Sequence, residues 1–150
     1  MPIPPTAPYR AYWRKLEQKK PTPAQRAAVR RARREAKRLA RILAEEFGAR
    51  RVYLFGSFAW LVPWVTPESD IDLAAEGMPH GSWWDAIDRL EESTKYGVDL
   101  VRMEKAPTHL HELILEAGIV VYDTEKTPSP RTSSSRRDHK SAARTKRSHR

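Results

Sequence analysis

Beyond Asp123 the only aliphatic side chains are those of Ala142 and Ala143, among Ser, Thr, Pro, Arg, Lys and His. Such a stretch has nothing with which to build a core. The hydrophobic interior must therefore be complete before residue 124. The start is limited in a similar way, with prolines at 2, 4, 5 and 8 followed by Tyr9, Tyr12 and Trp13 among basic residues. In 150 residues this leaves one domain. We expect an extended, proline-rich basic arm over 1–21, a folded domain over 22–123 and a disordered basic tail over 124–150.

The formal net charge of +9 changes meaning when it is divided along the chain. Residues 1–51 hold 15 Lys and Arg against 4 acids, and residues 124–150 hold 9 against 2. Residues 52–123 reverse the balance, with 4 against 13. An acidic centre between basic arms implies carboxylates that repel one another unless cations bind them. The arms are candidates for RNA or DNA contact. With no cysteine, disulfides, iron–sulfur clusters, thiolate zinc sites and cysteine nucleophiles are excluded. The most apolar run, Phe58 to Val65, falls far short of the ~20 residues of a membrane span. No membrane partner and a cytoplasmic location are expected.

Thr22-Pro23-Ala24-Gln25 reads as a helix start, with Thr22 as N-cap, Pro23 in the first position and Gln25 closing a capping box. Val29, Ala32, Ala36, Leu39, Leu43 and Phe47 follow at spacings of three and four, and Gly48 ends the helix. Its basic face is either a solvated surface or a polyanion contact. Arg51 to Phe55 reads as a buried strand running into a Gly56-Ser57 turn. A second strand is expected at Ile71–Ala75, and a helix over Ser82–Thr94 capped by Ser82 with Trp84, Ile87 and Leu90 on one side. A third strand over Gly97–Val101, a short helix around Leu110–Ala117 and a last strand at Ile119–Tyr122 complete the domain. The order predicts an α/β (α+β) fold, a small mixed sheet with helices packed on it.

The chemistry-bearing residues lie at strand ends. Asp70 and Asp72 are two apart, so both carboxylates leave one face of a strand. Asp99, on another strand, completes a three-carboxylate cluster if the two strands are neighbours. Mg²⁺ suits such hard oxygen donors and brings phosphate oxygens as its remaining ligands. The Gly56-Ser57 turn presents backbone N–H groups and a hydroxyl to a phosphate. Each element alone has an ordinary explanation: a strand-edge Asp-x-Asp, a capped turn, an edge carboxylate. Their order along one chain is what points to nucleotidyl or phosphoryl transfer.

Leu54-Phe55-Gly56-Ser57-Phe58-Ala59, Ser69-Asp70-Ile71-Asp72-Leu73 and Val98-Asp99-Leu100-Val101 together resemble the motifs of the minimal nucleotidyltransferases of the DNA polymerase beta superfamily. The closing Glu116-Ala117-Gly118-Ile119-Val120-Val121-Tyr122 is also similar, and the resemblance runs from about Ala24 to Asp123. It implies the polymerase beta-like fold, with Gly56 and Ser57 binding the triphosphate of ATP or another NTP. It further implies two Mg²⁺ ions on Asp70, Asp72 and Asp99, and Asp99 assisting deprotonation of an acceptor hydroxyl. The group moved would be a nucleoside monophosphate, AMP by preference. Many such proteins are antitoxins that adenylylate a HEPN toxin, which implies a protein hydroxyl as acceptor; a solitary enzyme remains open beside this. The alternative is a non-catalytic nucleotide- or partner-binding module with nucleic-acid-binding arms.

Two departures from the family pattern are visible. Twelve residues, Phe58 to Ser69, separate the Gly-Ser turn from Asp70 where ten are usual, and Ala59-Trp60-Leu61 stands where the family has Ala-Arg-Gly. The missing arginine removes a phosphate or loop-stabilising contact. Trp60 to Val65 either covers the core or offers a docking or base-stacking patch. Trp83 and Trp84 are expected to anchor their helix to the sheet. His109 and His111 are spaced wrongly for a shared helix face, and Ser133 to Ser135 read as linker.

Overall fold

The computed structural model describes residues 20–126; the expected arm before residue 20 and the expected tail after residue 126 lie outside the described residues. Helix α1, Pro23–Phe47, begins as its sequence dictates. The Gln25 amide donates to Thr22 Oγ1 at 3.1 Å and the Thr22 amide to Gln25 Oε1 at 3.0 Å, forming the capping box. Val29, Ala32, Ala36, Leu39 and Leu43 form the buried stripe, and Gly48 ends the helix at φ +78°, in the left-handed region that glycine occupies without strain. Part of the basic face is engaged in holding the fold together. Arg38 pairs with Glu35 at 2.7 Å and donates to the Ser93 carbonyl.

Strand β1, Arg51–Phe55, is followed by the one-turn helix α2, Ser57–Trp60, and then by β2, Ile71–Glu76. Helix α3, Trp83–Ser93, leads to β3, Val98–Arg102; α4, Thr108–Ala117, leads to β4, Ile119–Asp123. The strand order is β3-β2-β1-β4. β1 runs antiparallel to β2 and β4, while β2 and β3 are parallel. This is the expected mixed α/β sheet.

Alternation along the strands divides the sheet into two packed faces. Val52, Leu54, Ile71 and Leu73 point to α1 and α3, where they join Leu39, Leu43 and Leu90 in the larger core. Tyr53, Phe55 and Ala74 point the other way, against Met103, Leu110 and Ile114 on the α4 side. Asp72 precedes Ala74 by two and Asp99 precedes Val101 by two, so both aspartates belong to the α4 face.

Two local expectations differ from the structure. Ser82 caps nothing with its side chain; its hydroxyl donates to the Pro79 carbonyl, and α3 begins at Trp83 after a short 3₁₀ turn over His80–Ser82. The buried face of α3 is Trp83, Ala86 and Leu90 rather than one through Trp84, which is 75% exposed. One residue of phase rotates a helix face by about 100°. Trp83 therefore anchors the helix and Trp84 does not. Among the described residues no helix is long and apolar enough to cross a membrane.

Candidate active site

In the parallel ladder of β2 and β3, Asp72 stands opposite Asp99. Partners in register share a face, so adjacent strands present the two carboxylates side by side. Asp72 also faces Phe55 of β1, the last residue before the Gly56 turn. Asp70 lies one position before β2, anchored where the Ile71 amide donates to the Gly97 carbonyl at 2.8 Å. Asp70, Asp72, Asp99, Gly56 and Ser57 thus gather at one end of the sheet.

Two glycines permit that crowding. Gly56 has φ +77°, and a Cβ there would collide with Asp72 Oδ2. A Cβ at Gly97 would collide with Asp70 Oδ1. No motif marks Gly97 as a site residue, although its place immediately before Val98-Asp99 is a signal that could do so. Ser57, the first residue of α2, is buried, and the amides of Ala59 and Trp60 donate back to the Gly56 carbonyl.

The turn is held from outside by residues that no motif announced. Arg33 of α1 donates from Nε to the Phe58 carbonyl and from Nη2 to the Ala59 carbonyl, both at 3.0 Å. Burial draws its guanidinium below the ordinary arginine range. Trp60 Nε1 donates to the Ala117 carbonyl at the end of α4 at 2.9 Å. Leu61, where the family pattern has glycine, sits at φ +53°, a left-handed backbone that costs a non-glycine residue about 1–2 kcal/mol. The apolar loop mostly covers the core: Phe58, Val62 and Val65 are buried, and Trp64 is half-exposed.

Electrostatically the cluster is under tension. Burial first, then the neighbouring Asp99 and Asp70 carboxylates, push the Asp72 carboxyl up from 3.8 to about 7. A cation placed here would reverse that. Among the described residues no group of three or more His, Cys, Asp or Glu is drawn together tightly enough to hold a metal ion by itself. An all-oxygen donor set of this kind nonetheless fits Mg²⁺, which takes one or two carboxylates and completes its shell with water and phosphate oxygens. His109 and His111 lie on α4 and take no part.

The model of the "Polymerase beta, Nucleotidyltransferase" family matches residues 37–127, more than half of the chain. The chain belongs to this family. Its members use nucleoside triphosphates with divalent metal. No curated protein matches the sequence. Among solved structures, a toxin–antitoxin with AMP-PNP is 24% identical, covering 63% of this chain and 75% of its own, with a TM-score of 0.48. A tri-AMPylated Shewanella oneidensis HEPN toxin in complex with its MNT antitoxin gives 22%, 65%, 75% and 0.45. A Sulfolobus solfataricus protein assigned as a nucleotidyltransferase gives 19%, 70%, 92% and 0.48.

Two outcomes follow for this nucleotidyltransferase domain. A carboxyl whose folded pKa is raised stabilises the fold fully below its unfolded pKa and loses that contribution as pH rises through the folded value. For Asp72 the window is from 3.8 to about 7. Asp72→Asn should therefore raise the metal-free melting temperature at about pH 8 and change it little at about pH 4, read by thermal denaturation across pH. Arg33→Ala removes hydrogen bonds from a charged donor, each contributing about 1.5–3 kcal/mol. Amide exchange at Ala59, Trp60 and Leu61 should then accelerate by roughly tenfold or more, with β1 unchanged.

Proposed function

We propose that this domain is an Mg²⁺-dependent nucleotidyltransferase that moves a nucleoside monophosphate, AMP by preference, from an NTP to a hydroxyl acceptor. The observation that carries this reading is the in-register pair Asp72 and Asp99 with the Gly56 turn packed against Asp72. That arrangement supports reading the Gly56-Ser57 turn as a phosphate cradle beside hard oxygen donors. Gly56 and Ser57 hold the triphosphate through turn amides and hydroxyl, and Asp70, Asp72 and Asp99 hold two Mg²⁺ ions. Bound metal lowers the pKa of the attacking hydroxyl and offsets charge on the attacking and leaving oxygens.

The three carboxylates divide the work by their surroundings. Asp72 is partly buried between the other two, which suits a fixed ligand position. Asp99 is exposed on the edge strand β3, where an acceptor reaches it first, and takes the hydroxyl proton. The acceptor oxygen bonds to the α-phosphorus as the bond to pyrophosphate breaks. In this reading the acceptor is a hydroxyl on a protein partner, a HEPN-type toxin that the domain neutralises. The support is the order of motifs shared with minimal nucleotidyltransferases. We place the folded unit at 22–123, in the cytoplasm.

Label transfer from α-labelled ATP, CTP, GTP and UTP with Mg²⁺ in host lysate tests this whatever the acceptor is. Wild type should label a protein, ATP should serve best, and Asp70→Asn/Asp72→Asn should lower the signal by at least about 100-fold. Label that persists in the double variant, or no label with the fold intact, would leave the non-catalytic binding module as the better account.

A further inference from the structure

A second feature lies at the other end of β3. Between the starts of α3 and α4 is a groove of about 590 Å³, lined by Trp83, Trp84, Arg102, Lys105, Pro107 and Leu110 among others. Residues 52–123 contain four basic residues, Arg89, Lys95, Arg102 and Lys105. Two of the four line this groove, and no acidic side chain does among the described residues. Arg102 is only 8% exposed. Its guanidinium lies over the Trp83 ring at 4.6 Å and contacts His80 Nδ1 at 2.7 Å, which must accept because arginine has no lone pair to give. Among the described residues no carboxylate pairs with it. A buried cation without a counter-charge is costly, and the absence of an ion pair to Arg102 among the described residues points to an anion supplied from outside.

The helix ends agree. The first turn of α3 and the Pro107 cap of α4 line the groove, and neither helix has a side-chain cap. Their N-terminal amides add positive potential. The remaining wall is apolar, with Trp84 75% exposed beside Pro107 and Leu110.

We propose that this groove docks an acidic segment of a protein partner, laid along the outer edge of β3. Two observations favour a peptide over a nucleic acid. β3 is an edge strand whose outer side is unpaired among the described residues, so its alternate peptide groups can take an added strand. The indole and Leu110 surface suits the apolar side chains of such a strand. The basic arms of this chain have the wrong charge to occupy the groove themselves.

Asp99 precedes Val101 of the groove by two residues on the same strand, about 7 Å along it. A docked segment would therefore run past the acceptor side of the carboxylate cluster. That link to catalysis rests on the proposed nucleotidyl transfer; the docking does not.

The test uses the full chain and fluorescence anisotropy with a labelled peptide of alternating leucine and glutamate, its glutamine counterpart and an oligouridylate. Lys105→Glu and Trp84→Ala change exposed side chains. Each should weaken the glutamate peptide by about fivefold or more and leave oligouridylate binding unchanged. The glutamine peptide should bind at least about tenfold more weakly than the glutamate one. Asp70→Asn/Asp72→Asn should bind the peptide as wild type does, which separates this proposal from failure of the catalytic reading. Equal binding of the two peptides, or a glutamate peptide indifferent to both variants, would overturn it. So would variants that weaken oligouridylate as much as the peptide, which would make the groove a polyanion site.

Discussion

Mutual repulsion among Asp70, Asp72 and Asp99 is the constraint around which the rest of the domain is arranged. Carboxylates at this spacing, one of them half-buried, withdraw stability from the metal-free fold as pH rises from 3.8 to about 7, the window in which Asp72 ionises. In the proposed reading that tension is relieved when cations bind. Gly56 and Gly97 leave room for two of the side chains. The parallel pairing of β2 and β3 sets the third opposite its neighbour. The larger core, between the sheet and the α1 and α3 helices, lies on the other face. It carries the hydrophobic stabilisation that offsets such a site.

The framework was legible because local chemistry and periodicity agreed. The capping box at Thr22, the stripe from Val29 to Leu43, the glycine stop at Gly48 and the β-branched and aromatic run before Gly56 each had a mechanism that tertiary packing did not override. That Asp70 and Asp72 share a face was legible from their spacing, and their candidacy for a site from the order of the motifs around them. Asp99 needed its strand to be the parallel neighbour of β2, which only the sheet order supplies. The phase of α3 was not legible, because two adjacent tryptophans satisfy either of two faces, and the 3₁₀ turn that fixes the choice depends on the chain leaving β2.

The departures from the family motif have physical answers that sequence spacing could not give. No arginine follows Ala59, yet Arg33 reaches across from α1 to the same short helix and binds its carbonyls. Trp60 uses its indole N–H to tie α2 to the end of α4. Leu61 adopts the left-handed backbone that glycine would adopt without strain. Contacts between residues 25 and 57 positions apart leave no local trace, so the altered turn reads as a defect in sequence and as a re-braced turn in the structure. The Arg102 groove was hidden for the same reason, since its lining comes from two separate stretches, 80–84 and 101–110.

The central claim is that the strand-end aspartates and the Gly56 turn form one site that takes metal and triphosphate together. Its most direct measurement is the melting temperature with a non-hydrolysable NTP, with Mg²⁺, with both and with neither. Ligands that bind only the folded state stabilise it by mass action. The account predicts a gain with both that exceeds the two separate gains combined and that Asp72→Asn abolishes. An equal gain from nucleotide without Mg²⁺, or one that survives in Asp72→Asn, would contradict it.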